Sequence, residues 1–600
     1  MQINVNNNKS QPVILDTNRC SVDTVHKLGP ESPIVKGISF RRQNRQYGKI
    51  KALLYVLIII HLTSCGIRKS IQHIPDVKQY SLEVPKVDKI NDSTFRFNQN
   101  YLTKNKQQLW ELYIKGNPLQ LGYNNGALTQ NLMQQQEEIF FSKVEGFVPS
   151  KFKQKVLRGF LKWYNRKMYL NVREDFQVEL YGLSRYSSDR YNFIAPEYLR
   201  TLYLHGAHDI GHAMQDLMVV GCTSLAVWNE NTEDGDLLIG RNFDFYVGDD
   251  FARNKVIEFV EPEDGIPYLS VSWPGMIGVV SGMNKEGITV TINAGKSKIP
   301  LTARTPISLV TREILQYAAT IDEAVAIARK RKVFVSESIL VGSAHDKNAV
   351  IIEVSPDNFG VYKVENTSRV FCTNHFQSDA YKYDKRNQKH KAESHSEYRY
   401  EKLQELLEEN KKLDPEKMAS VLRNTSGLKG EKIGYGNEKA INQLLAHHAV
   451  IFSPQKKLVW VSSSPYQLGE FVCYDLNEIF SDKRLKSGGF SKSDLNIAKD
   501  PFADSQEFKN YEEYKKLSSQ IEEAVNDKEE TLSEEYINHY IDLNPDFWYV
   551  YFLAGKFYFS RKDYLKALPL FEKALNKEIT TVPDRENIEK YVKKTLKKLK

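Results

Sequence analysis

The sequence predicts an α+β fold, and three observations carry that expectation. Ahead of residue 219 the aromatic and Leu positions recur every three or four residues, as over 125–143 and 149–170. From Cys222 the period changes to two. Downstream, runs of strands alternate with runs of helices rather than with single crossover helices, which favours antiparallel sheets layered with helices.

The elements follow in order. Short β runs are expected at 222–230, 236–243, 255–260, 268–273, 277–281 and 287–293. Residues 231–235 form a turn signal, so the first two should pair as a hairpin. Helices are expected at 306–319 and 321–330, then strands at 339–343, 349–354, 359–363 and 369–372. Helices at 397–409 and 415–424 precede late strands at 449–452 and 458–462. Residues 482–504, rich in Lys, Ser and Asp, read as a linker, and 505–600 read as all-α. In that tail Tyr551, Gly555, Tyr558, Ala567, Phe571 and Ala574 fall at the spacing of one tetratricopeptide repeat, with Pro569 a departure. One repeat cannot bury its own faces, so the tail should pack on its neighbours or on a protein partner.

Composition narrows the function classes. The chain has 600 residues, 41% hydrophobic and 26% charged, enough to bury a large core. Its net charge of +8 is mostly local: residues 1–64 hold nine basic and three acidic residues, leaving +2 for the rest. A body this near neutral gives no electrostatic case for nucleic acid.

Residues 1–64 read as a leader. Arg41, Arg42, Arg45, Lys49 and Lys51 precede an apolar run over 52–60, and Leu62-Thr63-Ser64-Cys65 closes it. That is the layout of a secretory signal, far short of a membrane span. Leu62 to Cys65 resembles the bacterial lipobox, which implies a lipidated Cys65, palmitate included, and a lipoprotein of the bacterial cell envelope. The 40 residues ahead of the basic segment are long for a signal. Residues 65–104, polar and Pro-interrupted, read as a tether, and 105–221 as a helical segment ahead of a catalytic core at 222–481.

Five cysteines are present. Cys20 would leave with the leader and Cys65 would carry lipid. Cys222, Cys372 and Cys473 remain, too few and too scattered for a disulfide framework, and without zinc spacing. One of them is a candidate nucleophile.

Four motifs single out Cys222: Gly221-Cys222-Thr223-Ser224, Gly240-Arg241-Asn242-Phe243-Asp244-Phe245, the stretch from Met283 to Asn293, and Thr373-Asn374-His375-Phe376. Here the chain resembles the N-terminal-nucleophile hydrolases of the choloylglycine hydrolase and penicillin acyltransferase type. Among these it resembles the acyl-coenzyme A:6-aminopenicillanic acid acyltransferase family, and the similarity spans about 117–464. The resemblance implies a four-layer αββα fold and activity on a linear amide bond of an acylated amine or peptide-like substrate, as hydrolase or acyltransferase, with no cofactor.

The chemistry is coherent. Cleavage of Gly221–Cys222 would give Cys222 an α-amine of pKa about 7.7–8.0, close to the ~8.5 of a free thiol, so one residue serves as nucleophile and base. Gly221, without a Cβ, suits the strained turn self-cleavage needs. The resemblance further implies that Asp244 orients the new ammonium and that Arg241 favours thiolate or meets substrate. It gives the Asn293 N–H and the Asn374 side chain as the two oxyanion donors. Ser396-Glu397-Tyr398-Arg399 resembles the family's Ser-x-x-Arg, whose Arg supports the site.

Two other readings stand beside this one. A metallo-amidase would use His205, His208 and His212, which share a helix face but lack a neighbouring Glu. A non-catalytic surface scaffold would recruit partners through the tetratricopeptide-like tail. The basic cluster at 382–391 reads as the solvated face of a loop.

Overall fold

The computed structural model describes residues 66–81, 83–213, 219–246, 248–298, 300, 302–481, 489–527 and 531–600. The leader, Cys65 and the first part of the linker, 482–488, lie outside them. No helix among the described residues is long and apolar enough to cross a membrane.

Nineteen strands are described in chain order. The first four are β1 (Asp88–Asn91), β2 (Thr94–Phe97), β3 (Asn100–Lys104) and β4 (Trp110–Gly116). Around Cys222 lie β5 (Val219–Val220), β6 (Thr223–Val227), β7 (Leu238–Phe243) and β8 (Phe245–Tyr246). Next come β9 (Val256–Pro262), β10 (Tyr268–Ser272), β11 (Ser281–Asn284) and β12 (Ile288–Ala294). After two helices follow β13 (Glu337–Ser343), β14 (Asn348–Val354), β15 (Phe359–Tyr362) and β16 (Arg369–Cys372). The last are β17 (His448–Ser453), β18 (Leu458–Ser462) and β19 (Phe471–Asp475).

They form two large sheets. Eleven strands run β1-β2-β3-β4-β9-β10-β11-β12-β13-β14-β15, and six run β16-β6-β7-β17-β18-β19. Among the described strands only β4 and β9 pair in parallel; every other strand pair is antiparallel. The predicted hairpin is present as β6–β7, with Thr223 opposite Asn242 and Val227 opposite Leu238.

Alternation along each strand divides the core. Ile257 and Phe259 of β9 face the second sheet, meeting Ala226, Ile239, Val450 and Val461 in a β–β core. Val256 and Val260 point the other way, into helices Pro118–Phe147, Glu174–Ser184 and Ile307–Tyr317. Leu225, Val227 and Leu238 leave the outer face of the second sheet against helices Ser396–Glu409 and Pro415–Leu422. The order is helix, sheet, sheet, helix: the four-layer αββα fold. Strands buried on both faces read as continuous apolar runs.

The tail is five helices: Gln506–Asn526, Glu534–Leu543, Trp548–Ser560, Tyr564–Leu575 and Val582–Leu599. Gly555 lies against the Phe571 ring, where a Cβ would sit 2.6 Å away, so the third and fourth helices close tightly. The tail's apolar core takes in Leu444 and Leu468 from the two-sheet body.

Four sequence expectations need correction. Residues 88–104, expected within the tether, form β1–β3; Phe97 and Leu102 are buried while turn residues hide the pattern, Asn98 sitting at φ +51°. Trp110–Gly116 was expected in a helical segment and is a strand, because its burial on both faces removes the period of two. The strand expected at 277–281 starts at Ser281, since Met276 to Val280 form an irregular buried segment before it. The described part of the linker is packed: Ile497 and Phe471 exchange backbone hydrogen bonds, and Phe490 stacks on Phe259 at 4.9 Å.

Candidate active site

Cys222 sits where two ladders break. Upstream, Val219 and Val220 pair with Tyr246 and Phe245; downstream, Thr223 pairs with Asn242. Between these segments Gly221 N–H donates to the Asp244 carbonyl at 3.1 Å. The Gly221 carbonyl accepts from Gln443 Nε2 at 2.9 Å. Cys222 is completely buried, and burial pushes its thiol up to about 11 against the pull of Arg241. In the uncleaved chain it is a neutral thiol.

Two guanidiniums bracket it. Arg241 on β7 reaches across to the other sheet and donates to the Val280 carbonyl at 2.6 Å, to Ser281 Oγ and to the Ile292 carbonyl. Its Nη2 lies 3.8 Å from Cys222 Sγ, and the group stacks 4.3 Å over the Phe243 ring. Arg399, in the first turn of helix Ser396–Glu409, donates at 2.6 Å to the Cys222 carbonyl, to Thr223 Oγ1 and to Asn374 Oδ1. Burial lowers both pKa values, that of Arg399 to about 10.

Asp244 lies beside them, fully buried, with no hydrogen bond to either carboxylate oxygen among the described residues. Burial raises its pKa to about 8, although Arg399 and Arg241 pull it down. A buried carboxyl group left without a hydrogen bond is costly and calls for an explanation.

The two asparagines are placed differently. Asn374 Nδ2 donates to the Ala294 carbonyl at 3.0 Å, and its N–H donates to Ser396 Oγ at 2.7 Å. Asn293 instead ties the sheets together: Nδ2 donates to the Cys372 carbonyl at 2.7 Å and Oδ1 accepts from Ser224 Oγ at 2.9 Å. Its N–H does not face the site. Ile292 N–H donates to the Val280 carbonyl and Gly295 N–H to the Ser336 carbonyl, so alternation turns Asn293 N–H to its β13 partner Ser338. The N–H on the Cys222 side is that of Ala294, next to the carbonyl Asn374 holds. The N–H expected at Asn293 to face the site therefore points to the opposite edge, because donors along a strand alternate between edges.

Residues 230–464 match the acyl-coenzyme A:6-aminopenicillanic acid acyl-transferase family. An uncharacterized protein of Archaeoglobus fulgidus is 26% identical over 280 residues, 42% of this chain and 44% of its own length. Protein dcd1B of Dictyostelium discoideum is 25% identical over 157 residues, 26% of this chain and 31% of its own. The chain thus spans less than half the length of these curated relatives. Among solved structures, a Caenorhabditis elegans N-acylethanolamine-hydrolyzing acid amidase ortholog is similar at 19% identity and TM-score 0.28, covering 39% of this chain and 93% of that one. A mutant conjugated bile acid hydrolase of Clostridium perfringens gives 13% and 0.29, covering 43% and 93%.

Arg241, Asp244, Asn374 and Arg399 all lie within the acyltransferase-family segment, and Cys222 lies just ahead of it. The sequence reading missed four neighbours of the site. Ser281 Oγ, held by Arg241, hydrogen-bonds His448 Nε2 at 2.8 Å, and His448 Nδ1 meets His447 Nδ1 at 2.9 Å. Burial drives both imidazoles well below their usual pKa, so they are neutral. Two adjacent histidines opening an apolar strand were the available signal. Gln443 gave none.

His205 is not a metal ligand. Its Nδ1–H donates to the Thr201 carbonyl at 2.8 Å, and Nε2 accepts the Ile277 N–H at 2.9 Å, which occupies both ring nitrogens. The side chains of His208 and His212 lie outside the described residues. Among the described residues no group of three potential ligands is clustered for a metal.

Proposed function

We propose that the chain is a self-processing cysteine amidohydrolase or acyltransferase that cleaves its own Gly221–Cys222 bond and then acts through a Cys222 thioester. The observation carrying this reading is the unpaired Asp244 carboxylate, buried against a cysteine whose nitrogen is still in a peptide bond. Cleavage supplies an ammonium to that carboxylate, and the α-amine becomes the base that activates the thiol. Arg399 fixes the Asn374 carbonyl oxygen, so its Nδ2 and the Ala294 N–H form a pair of donors for the oxyanion.

The substrate follows from the surroundings. A small, mostly apolar cavity lined by Met133, Phe140, Phe245, Phe251, Trp273 and Met276 includes the residue that follows Asp244 and suits an apolar acyl group. A larger one, about 490 Å³, opens beside Gly295 and carries Lys296, Arg386 and Lys389, with Thr581 and Pro583 from the tail. It offers room for the amine half of a linear acyl amide. Whether water or an amine then takes the acyl group decides hydrolase against transferase. The lipoprotein reading adds an anchor at Cys65 that holds the enzyme at a bacterial membrane.

The test is direct. Denaturing electrophoresis of purified protein should show a fragment beginning at Cys222, and a panel of acyl amides should leave a mass adduct on that residue. An intact chain that never reacts with a thiol-directed acyl probe removes the enzyme. Labelled palmitate, incorporated by the wild type and lost in Cys65→Ser, tests the anchor.

A further inference from the structure

The Gly221 carbonyl is the group that self-cleavage attacks, and one side chain is already aimed at it. Gln443 is fully buried, and its Nε2 donates to Gly221 O at 2.9 Å. Its Oε1 has no hydrogen-bond partner among the described residues. The amide orientation is thus set by the Gly221 carbonyl alone, since the flipped form would bring two oxygens together. Nothing else about Gln443 explains a buried, half-satisfied amide.

Gln443 does not hold this position unaided. Its neighbour Leu444 is in the left-handed region at φ +54° and buries its side chain in the core of the tail. The Leu444 carbonyl accepts from Tyr511 Oη of helix Gln506–Asn526 at 3.2 Å. Upstream, Tyr435 and Asn544 exchange hydrogen bonds at 3.1 and 2.8 Å, and Asn437 Nδ2 donates to the Glu578 carbonyl at 2.9 Å. Gly434, at φ +80°, lies so close to Phe547 that a Cβ would sit 2.4 Å from its backbone. The loop carrying Gln443 is shaped by the helical tail.

We infer that Gln443 is a catalytic residue of self-cleavage, the oxyanion donor at the Gly221 carbonyl, and that the tail is its positioning element. This rests on the self-processing reading above. In the step, Sγ of Cys222 bonds to the Gly221 carbonyl carbon and the thiol gives up its proton. The oxygen takes up negative charge, which the Nε2–H stabilises. The C–N bond then breaks, the nitrogen takes the proton, and a thioester to Gly221 remains. Water adds to that carbonyl and Sγ leaves, giving the Gly221 carboxylate and a free thiol on an amino-terminal Cys222. After this step Gln443 has no further part, because the attacked carbonyl is gone.

The experiment follows fragment formation in freshly purified wild type, Gln443→Leu, Gln443→Glu and Tyr511→Phe. Removal of one preorganised donor costs about 10²–10³ in rate. Gln443→Leu should slow processing by that factor, and Gln443→Glu at least as much, because a carboxylate faces the developing oxyanion. Tyr511→Phe should slow it several-fold with the precursor's melting temperature nearly unchanged. The small mature fraction of each variant should react with an acyl probe at the wild-type rate per chain, which a general packing defect would not allow. Either Gln443 variant, folded and cleaving at the wild-type rate, overturns the inference and leaves the enzyme reading standing. A wild-type chain that never cleaves removes both.

Discussion

The protein buries arginines in two ways. In the helical layer Arg312 meets Glu179 through two hydrogen bonds at 3.2 and 3.0 Å, and Arg200 meets Glu137 at 2.9 Å; all four side chains are under 5% exposed. Around Cys222, among the described residues, the equally buried Arg241 and Arg399 hydrogen-bond only carbonyls, hydroxyls, an amide, an imidazole and the thiol, and the adjacent Asp244 carboxyl accepts nothing. The pKa directions follow: Arg312 is raised by Glu179 although burial opposes it, whereas burial lowers Arg241 and Arg399. The first kind of arginine is neutralised by a partner and braces the fold. The second leaves its charge available to whatever forms at Cys222.

The largest effect that this contrast predicts lies at the thiol. Cys222→Ala should abolish both processing and acyl labelling while the closed pairs keep the precursor folded. Wild-type labelling in that variant, at Cys372 for example, would move the chemistry elsewhere.

Next in size is a break in a closed pair. Arg312→Met strands Glu179 in the core, which costs about 3–5 kcal/mol. The melting temperature should fall by many degrees while processing of the folded fraction keeps its rate. Arg399→Gln should do the reverse. Asn374 loses the group that fixes its Oδ1, and kcat should drop about 10²-fold with KM little changed, melting within a few degrees of wild type. Equal thermal losses in the two variants would erase the distinction.

This contrast was only half legible in the sequence. Cys222, Arg241, Asp244 and Asn374 stood at strand ends inside short motifs, and the period of two placed most strands of both sheets. Arg399 was visible through its offset from Ser396, whose Oγ accepts the Asn374 N–H. Asn293 was named for its backbone, yet strand alternation turns its N–H toward β13, and residue identity does not reveal which edge an N–H faces. β1 to β3 were hidden because β1 is wholly exposed and polar turns separate short edge strands. Gln443 was beyond reach, since its position depends on a loop folded against helices that begin more than sixty residues later.

The smallest effect tests the open carboxylate itself. Compare the uncleavable precursors Cys222→Ala and Cys222→Ala with Asp244→Asn. Burial holds Asp244 protonated up to about pH 8, against an ordinary value of 3.8. A folded pKa raised in this way gives stability that is complete below about pH 4 and lost as pH climbs to about 8, because the unfolded chain gives up the proton earlier. The Asn variant has no such proton to lose. Its stability relative to the Asp precursor should therefore grow by up to about 1.4 kcal/mol per pH unit across that window and level off above it, read as diverging melting temperatures. Parallel curves would mean that the carboxylate already has a cation against it before any bond is cut, and Asp244 would then be one more closed pair like Glu179.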